Sequence, residues 1–429
     1  MRILLEAPIF TQSGYGEHSR LVYRSIKDLP DAEIYINPLN WGRTSWSLSE
    51  GTEKEEIRRC VIDYKMLIEH AKKIESEPGF DLQIHVGLPN EFEKKAPRSI
   101  CVTAGIETDR VSPAWLIKTH QGINKLIVPS SHAKSGFENT TYQMENTETG
   151  SKTIINCNCP VEVVPYPIKN VENTEIDLNI QTKFNFLSVA LLGPRKNLEN
   201  MIKWFVKEFE NDDVGLIVKT GRSTGSIIDR DYTQKEIKKI LGNKHRKCKV
   251  YLLHGDLTEE QIHSLYTRED IHAYVSATHG EGYGLPAFEA AYSGLPIVIT
   301  DWSGHLDFLS GPFSEKGKIP KNKKLFARVD NDLKEIPKSV VWKDILVEGS
   351  RWAFPKEASF KKQIRNVYKN HGMYKKWAAA LKESLKDRFD NESVIESMRT
   401  SILGAKMEEV YPNEQNFSWK KDTSEIEEL

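Results

Sequence analysis

IHAYVSATHGEGYGLPAFEAAYSGLPIVITDWSG, running from Ile271 to Gly304, packs a strand, a glycine loop, a short helix and a second strand into one run. Ala273 to Ala277 is apolar enough to be buried on both faces. Leu295 to Thr300 repeats that character after the helix-stopping Gly294. The pattern predicts one βαβ unit. Gly280, Gly282 and Gly284 give the loop backbone freedom, and Pro286, with no amide hydrogen to lose, suits a first helical turn. A helix is therefore expected from about Leu285.

The free amides of that turn and the helix dipole favour an anion at the C-terminal edge of a parallel sheet, and a phosphate fits. Glu281 precedes the helix and Glu289 lies one turn inside it. A carboxylate repels a phosphate but accepts hydrogen bonds from hydroxyls, so the pair points to a ligand that carries both diphosphate and sugar groups. A nucleotide sugar meets that description.

The segment EGYGLPAFEAAYSGLPIV resembles the Glu-x7-Glu signature of the retaining glycosyltransferases of family 4. The resemblance implies an α/β fold of GT-B architecture, two Rossmann-like domains whose parallel sheets face each other across a cleft. It also implies roles: Glu281 on the donor sugar, Glu289 on the ribose hydroxyls, and the loop Gly282, Tyr283, Gly284 and Leu285 around the diphosphate. In that family retention is attributed to attack on the face the leaving group departs from.

A chain of 429 residues fits two domains with a short addition. We expect an acceptor-side Rossmann-like domain over 1–172 and a nucleotide-sugar domain over 180–390. A closing helix and polar tail fill 391–429, and the resemblance implies that this helix crosses back to the first domain. Strand-like segments alternate with helix-like ones in both halves, and the polar stretch from Lys169 to Lys183 reads as the linker. Asn200 to Phe209 and Glu259 to Tyr266 read as amphipathic helices, and the run from Phe360 to Phe389 reads as helical and lysine-rich. Ser393 with Glu396 reads as a capping box. From Tyr411 onward the chain is polar and acidic and is expected to be disordered or loosely docked.

Lys and Arg total 60 against 61 acids, so overall charge gives no case for nucleic acid. Five cysteines, Cys60, Cys101, Cys157, Cys159 and Cys248, favour reduced thiols and a cytoplasmic location. Cys157 and Cys159 lack the second pair a metal site needs. The start, MRILLEAPIF, reads as a first strand, and no apolar run is long enough to span a bilayer.

Gly193 to Asn197 follow a strand and open a helix, so Arg195 and Lys196 are expected to face the cleft and steady the charge of a departing nucleoside diphosphate. Lys196 matches the lysine of the family's basic pair, but the usual upstream arginine position reads Ala190 or Leu191. Arg195, Lys219 or Arg222 is expected to substitute. Ser13 to Gly16 form a glycine loop after the first strand, with Gly16 as the expected contact to the donor and His18 a solvated first-turn side chain or a ligand. Where many relatives carry a histidine near the acceptor, this chain has Glu107, Thr108 and Asp109. Either acid is expected to orient the acceptor hydroxyl or to cap a helix. Asp229 to Asp231, an Asp-x-Asp, precede an expected helix from Thr233 and read as loop capping rather than a metal site; His254 and Asp256 are ambiguous.

Together these features predict transfer of a sugar from a nucleotide-diphosphate sugar to the hydroxyl of a glycan, lipid or protein acceptor. Retention is expected, and no metal or other cofactor. The alternatives are a catalytically silent sugar-nucleotide-binding protein, or a GT-B relative such as a nucleotide-sugar epimerase or an inverting transferase. The lysine-rich helices after Phe360 also raise peripheral contact with anionic lipid.

Overall fold

In a computed structural model the chain is described throughout except at 43–45, 47–50, 146–151, 244, 315–318 and 405–429. The acidic tail expected from Tyr411 lies outside the described residues. The first half runs β1 (Arg2–Ala7), α1 (Gly14–Ile26), β2 (Glu33–Pro38), α2 (Thr52–Lys73), β3 (Leu82–Val86) and β4 (Arg98–Val102). It continues with α3 (Pro113–His120), β5 (Lys125–Val128), α4 (Ser131–Glu138), the hairpin β6 (Tyr142–Glu145) and β7 (Lys152–Ile155), and β8 (Val161–Val163). Six of these strands form a parallel sheet in the order β2-β1-β3-β4-β5-β8. Ile84, Ile100, Val102 and Ile127 are almost wholly buried, as expected of strands covered by helices on both faces.

The stretch 169–183 contains neither helix nor strand, and its Ile176, Leu178 and Ile180 pack onto the core of the second half. That half opens with β9 (Phe184–Val189), α5 (Leu198–Phe209), β10 (Val214–Lys219), α6 (Ile227–Leu241), β11 (Lys249–Leu253) and α7 (Glu259–Thr267). Then come β12 (Ala273–Val275), α8 (Leu285–Ser293), β13 (Ile297–Thr300), the hairpin β14 (Ser310–Phe313) and β15 (Lys321–Lys324), and β16 (Ala327–Val329). A second parallel sheet results, ordered β11-β10-β9-β12-β13-β16. The chain closes with the hairpin β17 (Asn331–Glu335) and β18 (Arg351–Pro355), then α9 (Glu357–Lys369), α10 (His371–Arg388) and α11 (Asn391–Leu403).

α11 leaves the second half and lies on α1: Val394, Met398 and Ile402 join the core of the first sheet, and Arg399 Nε donates to the Ser25 carbonyl at 2.9 Å. Its cap differs from the one expected. Asp390 accepts from the Ser393 amide at 3.0 Å, so Ser393 sits inside the helix, and Glu396 pairs with Arg399 rather than reaching back to a cap. α6 likewise begins at Ile227, earlier than expected, because Ser226 caps it; Asp229 to Asp231 lie inside its first turns. No helix among the described residues is long and apolar enough to cross a membrane.

Candidate active site

The C-terminal ends of both sheets face one cleft, and the loops that meet there carry the residues singled out from the sequence. After β9, Pro194 to Lys196 form a single 3-10 turn, and Asn197 takes a left-handed conformation, φ 53°, that starts α5. The Asn197 side chain holds that turn by donating to the Ala277 carbonyl at 3.0 Å. The turn therefore delivers Arg195 and Lys196 side by side beneath the glycine loop.

Glu281 receives both. Lys196 Nζ reaches its two carboxylate oxygens at 2.7 and 2.8 Å, and Arg195 Nη1 donates to Oε2 at 2.8 Å and to the Gly280 carbonyl at 2.6 Å. Burial alone would raise the Glu281 pKa, yet Lys196 and Arg195 hold its carboxyl well below the usual carboxylate range. Arg195 also spans the cleft, with Nη2 at 3.1 Å from Glu107 Oε1 of the first domain. Four expected site residues, Glu107, Arg195, Lys196 and Glu281, thus form one ion network.

Glu289 lies in a different environment. Its Oε2 accepts from the Tyr266 hydroxyl at 3.1 Å, and it borders a cavity of about 250 Å³ with Gln12, Ser13, Lys169, Leu285 and Pro286. Burial raises its pKa to about 7 against the opposing pull of Lys169. Lys169, from the linker, bridges Glu17 of α1 at 2.7 Å and Glu259 of α7 at 2.9 Å. The Glu17 carboxyl is held down to about 2 by Lys169 and Arg20, overcoming its burial.

The glycine loop behaves differently from the sequence expectation. A side chain at position 280 would overlap the Glu107 carbonyl and the Trp302 ring, and one at 282 would overlap the Ala104 carbonyl. These two positions need glycine because the loop presses against the first domain, rather than to approach a phosphate. Ser130 Oγ, at 2.6 Å from the Gly282 carbonyl, fastens that contact. At the start of α8 the Ala287 and Phe288 amides both turn back to the Gly284 carbonyl at 3.0 Å, and Pro286 has no amide hydrogen. The Leu285 amide and the Gly284 amide before it are left without an acceptor among the described residues, so the anion-binding turn keeps two adjacent backbone donors. Gly284, at φ 94°, makes the turn; Tyr283 is buried in the aromatic cluster with Tyr166 and Phe308, away from the cleft.

Several further expectations are corrected. Gly16 packs against the Thr11 carbonyl with no room for a side chain, so its glycine serves α1, and Gly14 is the residue beside Leu285. His18 is not solvated: it is fully buried against Tyr166, both ring nitrogens lack a partner among the described residues, and burial lowers its pKa to about 3. Asp109 does not face the acceptor side, because its carboxylate binds the Arg351 side chain and amide, each at 2.7 Å. Lys219 Nζ donates to the Gly255 carbonyl at 2.7 Å and lines a second cavity next to the first. Asp229 is the loop cap expected: the amides of Arg222, Ser223 and Thr224 and His254 Nε2 all reach its carboxylate. Nothing in the sequence marked Lys169 or Tyr266, whose partners come from elements distant in the chain.

Residues 171–314 match the family model of Glycosyl transferases group 1. The O-antigen chain mannosyltransferase RfbU of Salmonella typhimurium is 29% identical over 116 residues, covering 27% of this chain and 29% of that protein. The serotype-specific mannosyltransferase WbdA of Escherichia coli is 28% identical over 120 residues, covering 27% of this chain and 13% of that protein. The chain thus matches less than a third of the length of either relative. Among solved structures, HepE of Anabaena in complex with UDP-glucose aligns over 93% of this chain and 98% of its own, with a TM-score of 0.57 at 12% identity. Sucrose-phosphate synthase of Thermosynechococcus elongatus aligns over 93% and 97%, with a TM-score of 0.58 at 11% identity. At such identities the likeness concerns the fold alone, and that fold is GT-B.

Proposed function

We propose that this chain is a glycosyltransferase that moves a sugar from a nucleoside diphosphate donor to a hydroxyl of a glycan, lipid or protein acceptor, with retention of anomeric configuration. The observation that carries the reading is the pairing of Arg195 and Lys196 on Glu281, whose side chain lies against Gly284 at the start of α8, the helix whose Leu285 and Glu289 line the cavity. The group 1 match over 171–314 and the mannosyltransferase names of the two relatives support sugar transfer. The UDP-glucose held by HepE supports a nucleotide donor.

In this reading Glu289 and Tyr266 receive the ribose hydroxyls, Glu281 the sugar, and Arg195, Lys196 and the Leu285 amide the diphosphate. The acceptor oxygen bonds to the anomeric carbon as the bond from that carbon to the diphosphate oxygen breaks. The electron pair stays on the diphosphate, and the acceptor's proton passes to that departing oxygen. Arg195 and Lys196 stabilise the charge that accumulates there more in the transition state than in the bound donor, which is the condition for accelerating the step. No metal is assigned a part in this reading. Unpaired thiols at Cys60, Cys101, Cys157, Cys159 and Cys248 support a reducing, cytoplasmic setting.

A thermal-shift screen of nucleoside diphosphate sugars tests the reading, since a ligand that binds only the folded form raises the melting temperature. At least one donor is expected to stabilise the protein, and Glu289→Ala to abolish that shift. Unchanged donor binding and turnover in Glu289→Ala would remove the ribose contact. NMR of the product's anomeric proton decides between retention and inversion.

A further inference from the structure

Next to the cavity at Glu289, and sharing Gln12 and Ile262 as a common wall, lies a second cavity of about 200 Å³ that the reading above leaves empty. Its apolar walls include Leu191 and Leu257, its polar ones Lys219, Thr220 and Asp256. Thr220 is 2% exposed, yet its hydroxyl has no hydrogen-bond partner among the described residues. A buried hydroxyl without a partner is costly unless a ligand completes it.

Two further groups give the cavity a direction. Lys219 Nζ spends one of its three protons on the Gly255 carbonyl, leaving others to donate. Asp256 is exposed and takes part in no ion pair or hydrogen bond among the described residues; its carboxylate oxygen lies where a side chain at Gly225 would come within 2.6 Å. The loop from Arg222 to Thr224 is held by the buried Asp229 carboxylate, itself fixed by His254 at 3.0 Å, so this wall is preformed.

We infer that this cavity takes the nucleobase of the donor and selects guanine, with Asp256 as the specificity-determining residue. The inference rests on the donor-binding reading of the neighbouring cavity. A cation and a hydroxyl close to a carboxylate that no hydrogen bond among the described residues occupies call for a flat ring that shows an acceptor beside two donors. Guanine offers this pattern: O6 faces Lys219 and Thr220, while N1–H and the exocyclic amino group meet the two Asp256 oxygens. Uracil presents a single N–H between two carbonyls, which would face the carboxylate with an oxygen. Adenine and cytosine would face it with an unprotonated ring nitrogen. The leucines and Ile262 supply apolar contact for the ring faces.

Calorimetric titration of the full chain with GDP, IDP, UDP and ADP tests this. GDP is expected to bind about tenfold or more tightly than UDP and ADP, the loss that follows when a charged partner is left unpaired. IDP, which lacks the amino group, is expected to fall between. Asp256→Asn, a change at an exposed position, should leave the melting temperature unchanged, remove the advantage of GDP over IDP, and bring UDP binding closer to that of GDP, because an amide can donate to the uracil carbonyl that the carboxylate repels. UDP or ADP binding as tightly as GDP, or a GDP advantage that survives Asp256→Asn, overturns the assignment. If UDP binds best and a UDP-sugar is turned over, the transferase reading stands and the base assignment falls. If no nucleoside diphosphate binds, both fall.

Discussion

Glu281 and Glu289 come from one motif and are displaced in opposite directions, because Lys196 and Arg195 outweigh burial at the first, whereas at the second burial, helped by the Glu17 and Glu259 carboxylates, outweighs the pull of Lys169 and of the Tyr266 hydroxyl. Removing Glu281 leaves Arg195 and Lys196 adjacent with their main partner gone. Breaking such a partly buried pair costs on the order of 3 kcal/mol. Glu281→Ala is therefore expected to lower the urea midpoint, and pyrophosphate to restore much of it by supplying the missing negative charge; no recovery with pyrophosphate would mean the two cations are not open to the diphosphate. For Glu289 the folded-state pKa, about 7, lies above the ordinary 4.5, so the folded protein holds this proton more tightly than the unfolded chain. The stability it contributes is full below about 4.5 and is lost as pH rises to about 7. Donor binding moves the other way, since the ionised carboxylate is the stronger acceptor of hydroxyl hydrogen bonds. Donor affinity is expected to rise by up to about tenfold as pH passes 7, and Glu289→Gln to flatten that profile in a titration from pH 5.5 to 8.5. A pH-dependent affinity that persists in Glu289→Gln would assign the titration to another group.

At the level of elements, the strands and the βαβ unit around α8 were legible because strands buried on both faces read as apolar runs and Gly294 marks a helix end in plain sequence. The Pro194 to Asn197 turn was legible as well, since proline and a left-handed asparagine are local signals. Gly280 and Gly282 were misread for the opposite reason: what forbids a side chain there is the carbonyl of Glu107 or Ala104, more than 170 residues earlier in the chain. His18 was misread similarly, because its burial depends on Tyr166, and the start of α6 was missed because the Ser226 cap precedes the apolar face the eye follows. The loop contact makes a prediction that the motif alone does not. Gly282→Ala is expected to leave the second domain folded and able to bind nucleotide, but to hold the first domain away from it. Misplacing reacting groups by about 1 Å costs on the order of a hundredfold in rate. A fall in kcat of that order with donor affinity retained, together with a larger radius of gyration by X-ray scattering, is the expected result; an unchanged kcat would show that the Ala104 contact plays no part in the reactive geometry.

Across the whole molecule, three devices besides the Arg195–Glu107 pair and the glycine-loop contact hold the two sheets in register over the cleft. Asp109 and Arg351 clamp one side through their side chains and through the Asp109 amide on the Arg351 carbonyl at 3.2 Å. Lys169 ties α1 to α7 on the other, at the mouth of the Glu289 cavity. The third is α11, which follows the last helix of the second domain and buries its apolar face in the first. The crossing was expected from family resemblance rather than read from the residues, since nothing in the pattern of Val394, Met398 and Ile402 says which sheet they meet. Its energetic weight follows from burial: Val394 is 3% exposed and Met398 and Ile402 are fully enclosed. Three such side chains contribute on the order of 5 kcal/mol to whichever domain they cover. A chain ending at Asp390 is therefore compared with one ending at Gly404, by urea unfolding followed through tryptophan fluorescence. The shorter chain is expected to lose its first-domain transition at lower urea, while the transition of the second domain, whose core α11 does not enter, stays in place. The two then separate into distinct steps, and donor turnover is lost before nucleotide binding. Coincident transitions in the two chains would mean that α11 rests on the first domain without holding it.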